Sequence, residues 1–244
     1  MSISISNLAL AKSQRALILG GTGSGKSTLS ERLILQFRMN YPESKILILD
    51  SKPRFRAEWT PQGIKASRRY RNWDHGPTIP ESVAINNLDE FKESWGRNYS
   101  VFIAQVTDDN DDVSDLTFIA QEFFKRSRAS IPQLLVVDEG MDFYTESGSP
   151  IRGTLPAIKR TSRAGRERGM ALLFCSQRAR NIPVQIMSEM SKLYLFRLDY
   201  TEDVKRLREM GVPPIESPLD NHQFKYWTKA TPKKIYGPYT LGRV

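Results

Sequence analysis

The chain has 244 residues, 39% of them hydrophobic and 26% charged, which suits one α/β domain with a sizeable core or at most two small ones. It carries no run of about 18 apolar residues, its start lacks the basic and apolar blocks of a secretory signal, and its single cysteine, Cys175, excludes an intrachain disulfide framework. A cytoplasmic protein is expected, and its formal net charge of +9 makes a polyanion the first partner to consider.

In chain order, "RALILGGTGSGKST" reads as a short apolar strand from Ala16 to Leu19, a glycine-rich turn and a helix. Leu29, Leu33, Ile34 and Phe37 give that helix an apolar face, and Pro42 lies just past its end. "KILILDSK" is a buried strand with Asp50 at its carboxyl end. The stretch from Ser51 to Asn87 is irregular, rich in Arg, Trp, Tyr and Pro, and too long for an ordinary connection. A helix is expected around Leu88 to Trp95, a strand at "YSVFIAQV" and an amphipathic helix at "VSDLTFIAQEFFKRSR". "QLLVVDEG" is a buried strand ending in two acids. The helix after it has Thr154 as cap, Pro156 in its first turn and Gly169 as its stop. "MALLFCSQ" and "KLYLFRL" are further buried strands, separated by a helical piece near Val184 to Met190, and Cys175 should be an inert buried thiol. The tail "HQFKYWTKATPKKIYGPYTL" reads as two strands of a small hairpin or sheet edge.

Strands that are apolar throughout and alternate with helices predict an α/β fold, a mostly parallel sheet with helices on both faces. With no internal repeat and no low-complexity linker, residues 1–244 are expected to form a single domain. Its core spans about 15–210, followed by the strand hairpin or tail at about 211–244.

Gly20, Gly21, Thr22, Gly23, Ser24, Gly25, Lys26 and Ser27 fit the phosphate-loop pattern GxxxxGK[ST] in full. Its glycines let backbone N–H groups turn inward around phosphates, and the following helix adds the positive end of its dipole. Lys26 is expected at the β- and γ-phosphates of ATP, Ser27 on Mg²⁺ and Thr28 at the α-phosphate. Asp138 and Glu139 end a strand of the same sheet, so they belong beside that loop. Asp138 can hold Mg²⁺ through water and Glu139 can polarise an attacking water. A second acid there favours hydrolysis over transfer to a small acceptor, which also argues against a small-molecule kinase.

Other sites fall away. "TDDNDDVSD" lacks the loop glycine and terminal glutamate of an EF-hand, and His75 and His222 are isolated. The positive charge is concentrated. Seven bases face one acid from Lys52 to Trp73, and eight face one acid from Arg152 to Arg180. In the first segment Trp59, Tyr70 and Trp73 interleave with bases, and Arg68, Arg69 and Arg71 are candidate contacts to a nucleic-acid backbone. In the second, Arg160, Arg163 and Arg166 recur every third residue on the expected helix, within one arc of roughly 120°. They are placed to project toward a neighbouring subunit's γ-phosphate, while Gln177 senses the γ-phosphate within its own subunit.

The order "GGTGSGKST", "LILDSK", "LLVVDEG", "SRAGRERGMALLFCSQR" and "NIPVQI…KLYLFRL" resembles the FtsK–HerA superfamily of P-loop DNA-pumping ATPases, from about Arg15 to about Met210. The arginine-rich helix leading to a strand that ends Ser-Gln-Arg is the specific part. The resemblance implies a RecA-like core, a homo-oligomeric and hexameric ring, and ATP-driven translocation of double-stranded DNA. It puts the glutamine sensor on Gln177, the catalytic glutamate on Glu139 and the arginine finger on Arg166, with Arg163 and Arg160 as alternatives. One departure stands out: Asp50-Ser51-Lys52 replaces the family's frequent Asp-Pro-Lys. With neither a membrane anchor nor a DNA-reading domain flanking the core, the chain resembles the genome-packaging ATPases of tailless, membrane-containing viruses. That implies a place in the host cytoplasm or virion and docking at a capsid vertex. The rival expectation is an ATP-hydrolysing assembly, conjugation or secretion switch that acts on a protein partner.

Overall fold

A computed structural model of the chain describes residues 8–52, 54–60, 62, 78–97, 99–105, 114–143, 155–215 and 219–241. The elements are β1 (Arg15–Leu19), α1 (Lys26–Asn40), β2 (Lys45–Asp50), β3 (Arg56–Trp59), β4 (Thr78–Ile85), α2 (Leu88–Trp95), β5 (Val101–Gln105) and α3 (Ser114–Arg126). After them come β6 (Gln133–Asp138), a 3₁₀ turn (Gly140–Phe143), α4 (Leu155–Ala164), β7 (Met170–Ser176), α5 (Val184–Met187), β8 (Lys192–Leu195), α6 (Thr201–Glu209), β9 (Gln223–Thr228) and β10 (Ile235–Thr240).

The strands form one sheet in the order β10-β9-β8-β1-β7-β6-β2-β5-β4-β3. Every pairing from β8 across to β3 is parallel, while β9 and β10 join antiparallel at one edge. The mostly parallel sheet with helices on both faces is thus as the sequence predicts. Strands β1, β5, β6 and β7 are buried along their whole length, as covering both faces of a parallel sheet requires. Successive side chains alternate between two cores. In β6, Leu135 and Val137 join the core made with Phe91, Ile119, Phe123 and Ile158 from α2, α3 and α4. Leu134 and Val136 face Leu29, Leu33, Ile34 and Phe37 of α1.

Four elements depart from the reading of the sequence. Strands β3 and β4 lie inside the stretch read as irregular. Their pairing shifts register between Ala57 and Trp59, opposite a bulge that holds Pro80 and Glu81, with Glu81 at φ 54. A proline and a left-handed residue inside a strand erase the alternation that would reveal it. Helix α6 was not foreseen, although Glu202 and Asp203 in its first turn and Arg206 and Arg208 in its last match the helix dipole. Helix α4 stops at Ala164, five residues before Gly169, because Gly165 takes the chain out of the helix. A Cβ at 165 would lie 2.4 Å from the Thr161 carbonyl oxygen. Arg166 is therefore on a turn rather than on the helix face shared by Arg160 and Arg163.

The parallel register decides where the site falls. Leu19 is level with Ser176 and Asp50 with Asp138, so the carboxyl ends of β1, β7, β2 and β6 share one edge of the sheet.

Candidate functional site

The loop Gly20–Gly25 leaves β1 at that edge and turns directly into α1. Gly25 caps the helix at φ 104, a left-handed conformation that favours glycine. At Gly20 a Cβ would lie 2.4 Å from the Phe196 Cβ, so a side chain is excluded by contact. The Gly20 N–H donates to the Ser176 carbonyl (3.3 Å) and the Gly21 N–H to the Arg197 carbonyl (3.2 Å), fixing the loop to the ends of β7 and β8. Lys26 is buried, and its ammonium donates to the Gly21 carbonyl at 2.9 Å. Burial lowers its pKa, against the opposing pull of Glu139. Ser27 and Thr28 follow in the first turn of α1.

Across the loop, Asp138 and Glu139 are both buried. Glu139 has φ 48, and Gly140 behind it sits so close to Phe174 that a Cβ would lie 2.1 Å from the ring. This tight turn aims the Glu139 carboxylate at the loop. Gln177, just past β7, links the two sides. Its Nε2 donates to both Glu139 oxygens (3.1 and 3.0 Å), and its Oε1 accepts from the Thr22 hydroxyl (3.1 Å). The structure thus brings Thr22, Lys26, Ser27, Asp138, Glu139 and Gln177 together.

Two carboxylates lie side by side at the ends of β2 and β6. Burial pushes Asp50 up to about 7, helped by repulsion from Asp138. Burial likewise pushes Asp138 up to about 6, with Arg54 opposing and Glu139 adding to the rise. One oxygen of Asp50 is occupied: its Oδ2 accepts from the Arg54 and Phe55 backbone N–H groups and from Gln105 Nε2. Asp50 Oδ1 and Asp138 Oδ2 are both buried without a hydrogen-bond donor. An orphaned carboxylate oxygen beside a serine hydroxyl fits Mg²⁺, which takes one or two protein ligands and completes its shell with phosphate and water oxygens. No group of three or more His, Cys, Asp or Glu among the described residues is arranged to hold a metal alone.

Arg54 belongs to the basic segment from Lys52 to Trp73, with no sequence signal that sets it apart, yet its guanidinium turns inward. Nη2 lies 2.6 Å from Glu139 Oε1, Nε 3.8 Å from Asp138 Oδ2, and Nη1 donates to the Ser27 hydroxyl at 3.3 Å. Residue spacing carries no signal for this inward turn. The departure at Ser51 finds a use, since its hydroxyl donates to Asp142 Oδ2 at 2.6 Å, a bond that proline cannot make. The C-terminal strand pair also reaches the site: a Cβ on Gly25 would lie 2.8 Å from Leu241 Cδ1 and 3.1 Å from His222 Nδ1.

Arg160, Arg163 and Arg166 are exposed, and none of their guanidinium groups has a hydrogen bond or ion pair among the described residues. Arg166 precedes β7, and its carbonyl accepts from the Ser13 hydroxyl ahead of β1 (3.0 Å). It therefore lies at the edge of the sheet opposite its own phosphate loop, roughly 16 Å away along the strands. Arg68, Arg69 and Arg71, with Tyr70, Trp73 and the acidic "TDDNDD" stretch, lie outside the described residues. No helix among the described residues is long and apolar enough to cross a membrane.

By sequence, no protein-family profile and no curated protein matches the chain. Solved structures do match it. The genome packaging NTPase B204 of Sulfolobus turreted icosahedral virus 2, in complex with AMPPCP, superposes with a TM-score of 0.58 at 14% identity, covering 93% of this chain and 98% of that one. The DNA-packaging ATPase B204 of Sulfolobus turreted icosahedral virus gives 0.57 at 14% identity, over 94% of this chain and 100% of that one. The cytoplasmic domain of the type VII secretion ATPase EccC of Thermomonospora curvata gives 0.52 at 11% identity, over 99% of this chain and 25% of that one. The chain therefore has the RecA-like P-loop NTPase fold of these structures.

Proposed function

We propose that the protein hydrolyses ATP to move double-stranded DNA, as a genome-packaging motor built from a homo-oligomeric, hexameric ring. The observation that carries this reading is the convergence of a complete phosphate loop, an orphaned buried carboxylate and a glutamine-held glutamate at one edge of the sheet.

In this mechanism the backbone N–H groups of Thr22, Gly23 and Gly25 and the α1 N-terminus hold the phosphates of ATP. Lys26 gives up the Gly21 carbonyl for the β- and γ-phosphate oxygens, which are stronger acceptors. Ser27 and Asp138 would hold Mg²⁺, which when bound would supply positive charge against the charge that develops on the transferring phosphoryl group. Glu139 orients water and takes its proton. Gln177 is bonded to both Thr22 and Glu139, so a change at the γ-phosphate is felt at the base. An arginine from a neighbouring subunit, Arg166 or else Arg163 or Arg160, completes the site. Arg68, Arg69 and Arg71 grip the DNA backbone. The motor acts in the host cytoplasm or at a capsid vertex.

A second reading, an ATP-driven switch acting on a protein, is favoured by the match to a secretion ATPase over nearly the whole of this chain. Both readings need hydrolysis. Glu139→Gln should bind ATP normally and lose roughly 10²–10⁴ in turnover, as removal of a general base does. Lys26→Ala should lose ATP binding itself. Equilibrium binding of a fluorescent ATP analogue beside steady-state phosphate release separates the two. Undiminished turnover in Glu139→Gln would remove the base from the mechanism.

A further inference from the structure

The mechanism above makes no use of Arg54, although its guanidinium touches every protein group assigned to the metal and the base. Two features make that contact specific. The backbone is anchored, because the N–H groups of Arg54 and Phe55 both donate to the buried Asp50 Oδ2 at 2.8 and 3.0 Å, and Phe55 is itself buried. The side chain is 23% exposed, so its tip can leave the site without moving the chain that carries it. Arg54 is thus a tethered cation with a fixed root and a free end.

A guanidinium and a divalent metal ask for the same thing from this site. Both need oxygen ligands, and the guanidinium occupies the Ser27 hydroxyl and Asp138, the two groups assigned to the metal, while also holding Glu139. They cannot hold those oxygens together, since their charges repel across a few ångströms. We propose that Arg54 is a resident counter-ion that competes with divalent metal for this site, so that metal alone is admitted poorly and metal with nucleotide displaces it. The nucleotide makes the exchange favourable by bringing phosphate oxygens to which the released guanidinium can turn. While Arg54 holds Glu139, that carboxylate accepts charge-assisted hydrogen bonds and is unavailable to take a proton from water. The arrangement would therefore restrain hydrolysis until the phosphates are seated. This inference rests on the phosphate-loop reading of the site.

The test is Mn²⁺ binding to the purified full chain, followed by electron paramagnetic resonance, without nucleotide and with the non-hydrolysable analogue AMPPNP. Arg54→Met keeps the length and removes the charge. It should bind Mn²⁺ alone about tenfold more tightly than the unaltered protein, the order expected for removing one charge beside the metal in a partly wet cleft. Arg54→Lys should fall between the two. Unchanged or weaker Mn²⁺ binding in Arg54→Met overturns the proposal. Asp138→Asn separates this failure from a failure of the site itself. If it abolishes Mn²⁺ binding while Arg54→Met gains none, only the role of Arg54 falls. If Mn²⁺ binding survives Asp138→Asn, the metal site is misassigned and the proposal falls with it. Should Arg54→Met not fold, the unaltered protein still decides. The Arg54 Nε–H resonance should shift and lose protection from exchange when Mg²⁺ and AMPPNP are added together, and a resonance that stays unmoved is the contrary result.

Discussion

Arginine behaves in opposite ways at the two basic segments. At the end of β2 a single arginine, Arg54, folds back onto three groups of its own chain's site. Along α4 and the turn after it, Arg160, Arg163 and Arg166 point into solvent. Nor are all the nearby arginines of that second segment alike. Arg168 donates to the Phe124 carbonyl at 3.2 Å and lies 4.7 Å over the Phe124 ring. Arg178 pairs with the buried Asp203 at 2.9 Å and stacks 3.6 Å over Tyr200. A run of positive charge is therefore not one surface. Among the described residues, some of it holds the fold together, one residue serves the site from within, and several guanidinium groups, Arg160, Arg163 and Arg166 among them, are left exposed. The simplest use for those three is a partner outside the subunit.

The largest effect that would break this contrast concerns the outward set. If Arg166 completes a neighbour's site, Arg166→Ala should keep ATP binding and lose roughly 10³–10⁵ in turnover. Arg54→Met, serving its own site, should show its first effect in metal affinity instead. Mixing sharpens the distinction. Arg166→Ala and Lys26→Ala subunits are each inactive, but a tethered pair offers one interface with an intact loop and an intact arginine, and phosphate release should partly return. If Arg166→Ala stays active, the same pairing is repeated with Arg163 and Arg160. Full activity in all three single variants would mean that the outward arginines do not serve a neighbouring site.

A smaller effect concerns the acids that Arg54 faces. Asp138 has a folded pKa of about 6, above its ordinary 3.8, so the folded protein binds the proton more readily than the unfolded chain. Its stabilising contribution is complete below the unfolded value and is lost as the pH rises through about 6. Asp138→Asn removes that dependence. The melting temperature of the unaltered protein should therefore fall by a few degrees relative to Asp138→Asn between pH 5 and pH 7.5, a change of about 1 kcal/mol in stability. Parallel thermal melts in metal-free buffer measure the difference, and parallel pH curves for the two proteins would be the contrary finding. A bound divalent cation favours the ionised carboxylate and should reverse the trend.

Much of this site is legible in the sequence because phosphate recognition depends on backbone geometry. Only glycine fits at Gly20 and favours the φ of Gly25, and the loop must lie between a strand and a helix, so pattern and context point the same way. The parallel sheet follows from strands apolar throughout, and it alone brings Asp138 to the loop. What stays hidden depends on the direction of long side chains and on irregular backbone. Nothing in "DSKPRF" says that Arg54 turns inward. Strands β3 and β4 are masked by the bulge at Pro80 and Glu81, and α4 is cut short by Gly165 within a pattern that still looks helical. The strand pair β9–β10 was visible as a hairpin, but its arrival at Gly25 depends on its joining the sheet beside β8, which no local pattern encodes.

The claim that this is a DNA motor, rather than a switch for a protein partner, is tested most directly by ATP turnover of the purified protein with and without double-stranded DNA. The account predicts that turnover rises on adding DNA. The rise should weaken as salt increases, since each phosphate contact releases counterions, and it should shrink when Arg68, Arg69 and Arg71 are neutralised together. Turnover that is robust in the protein alone and indifferent to double-stranded DNA at every salt concentration would contradict it.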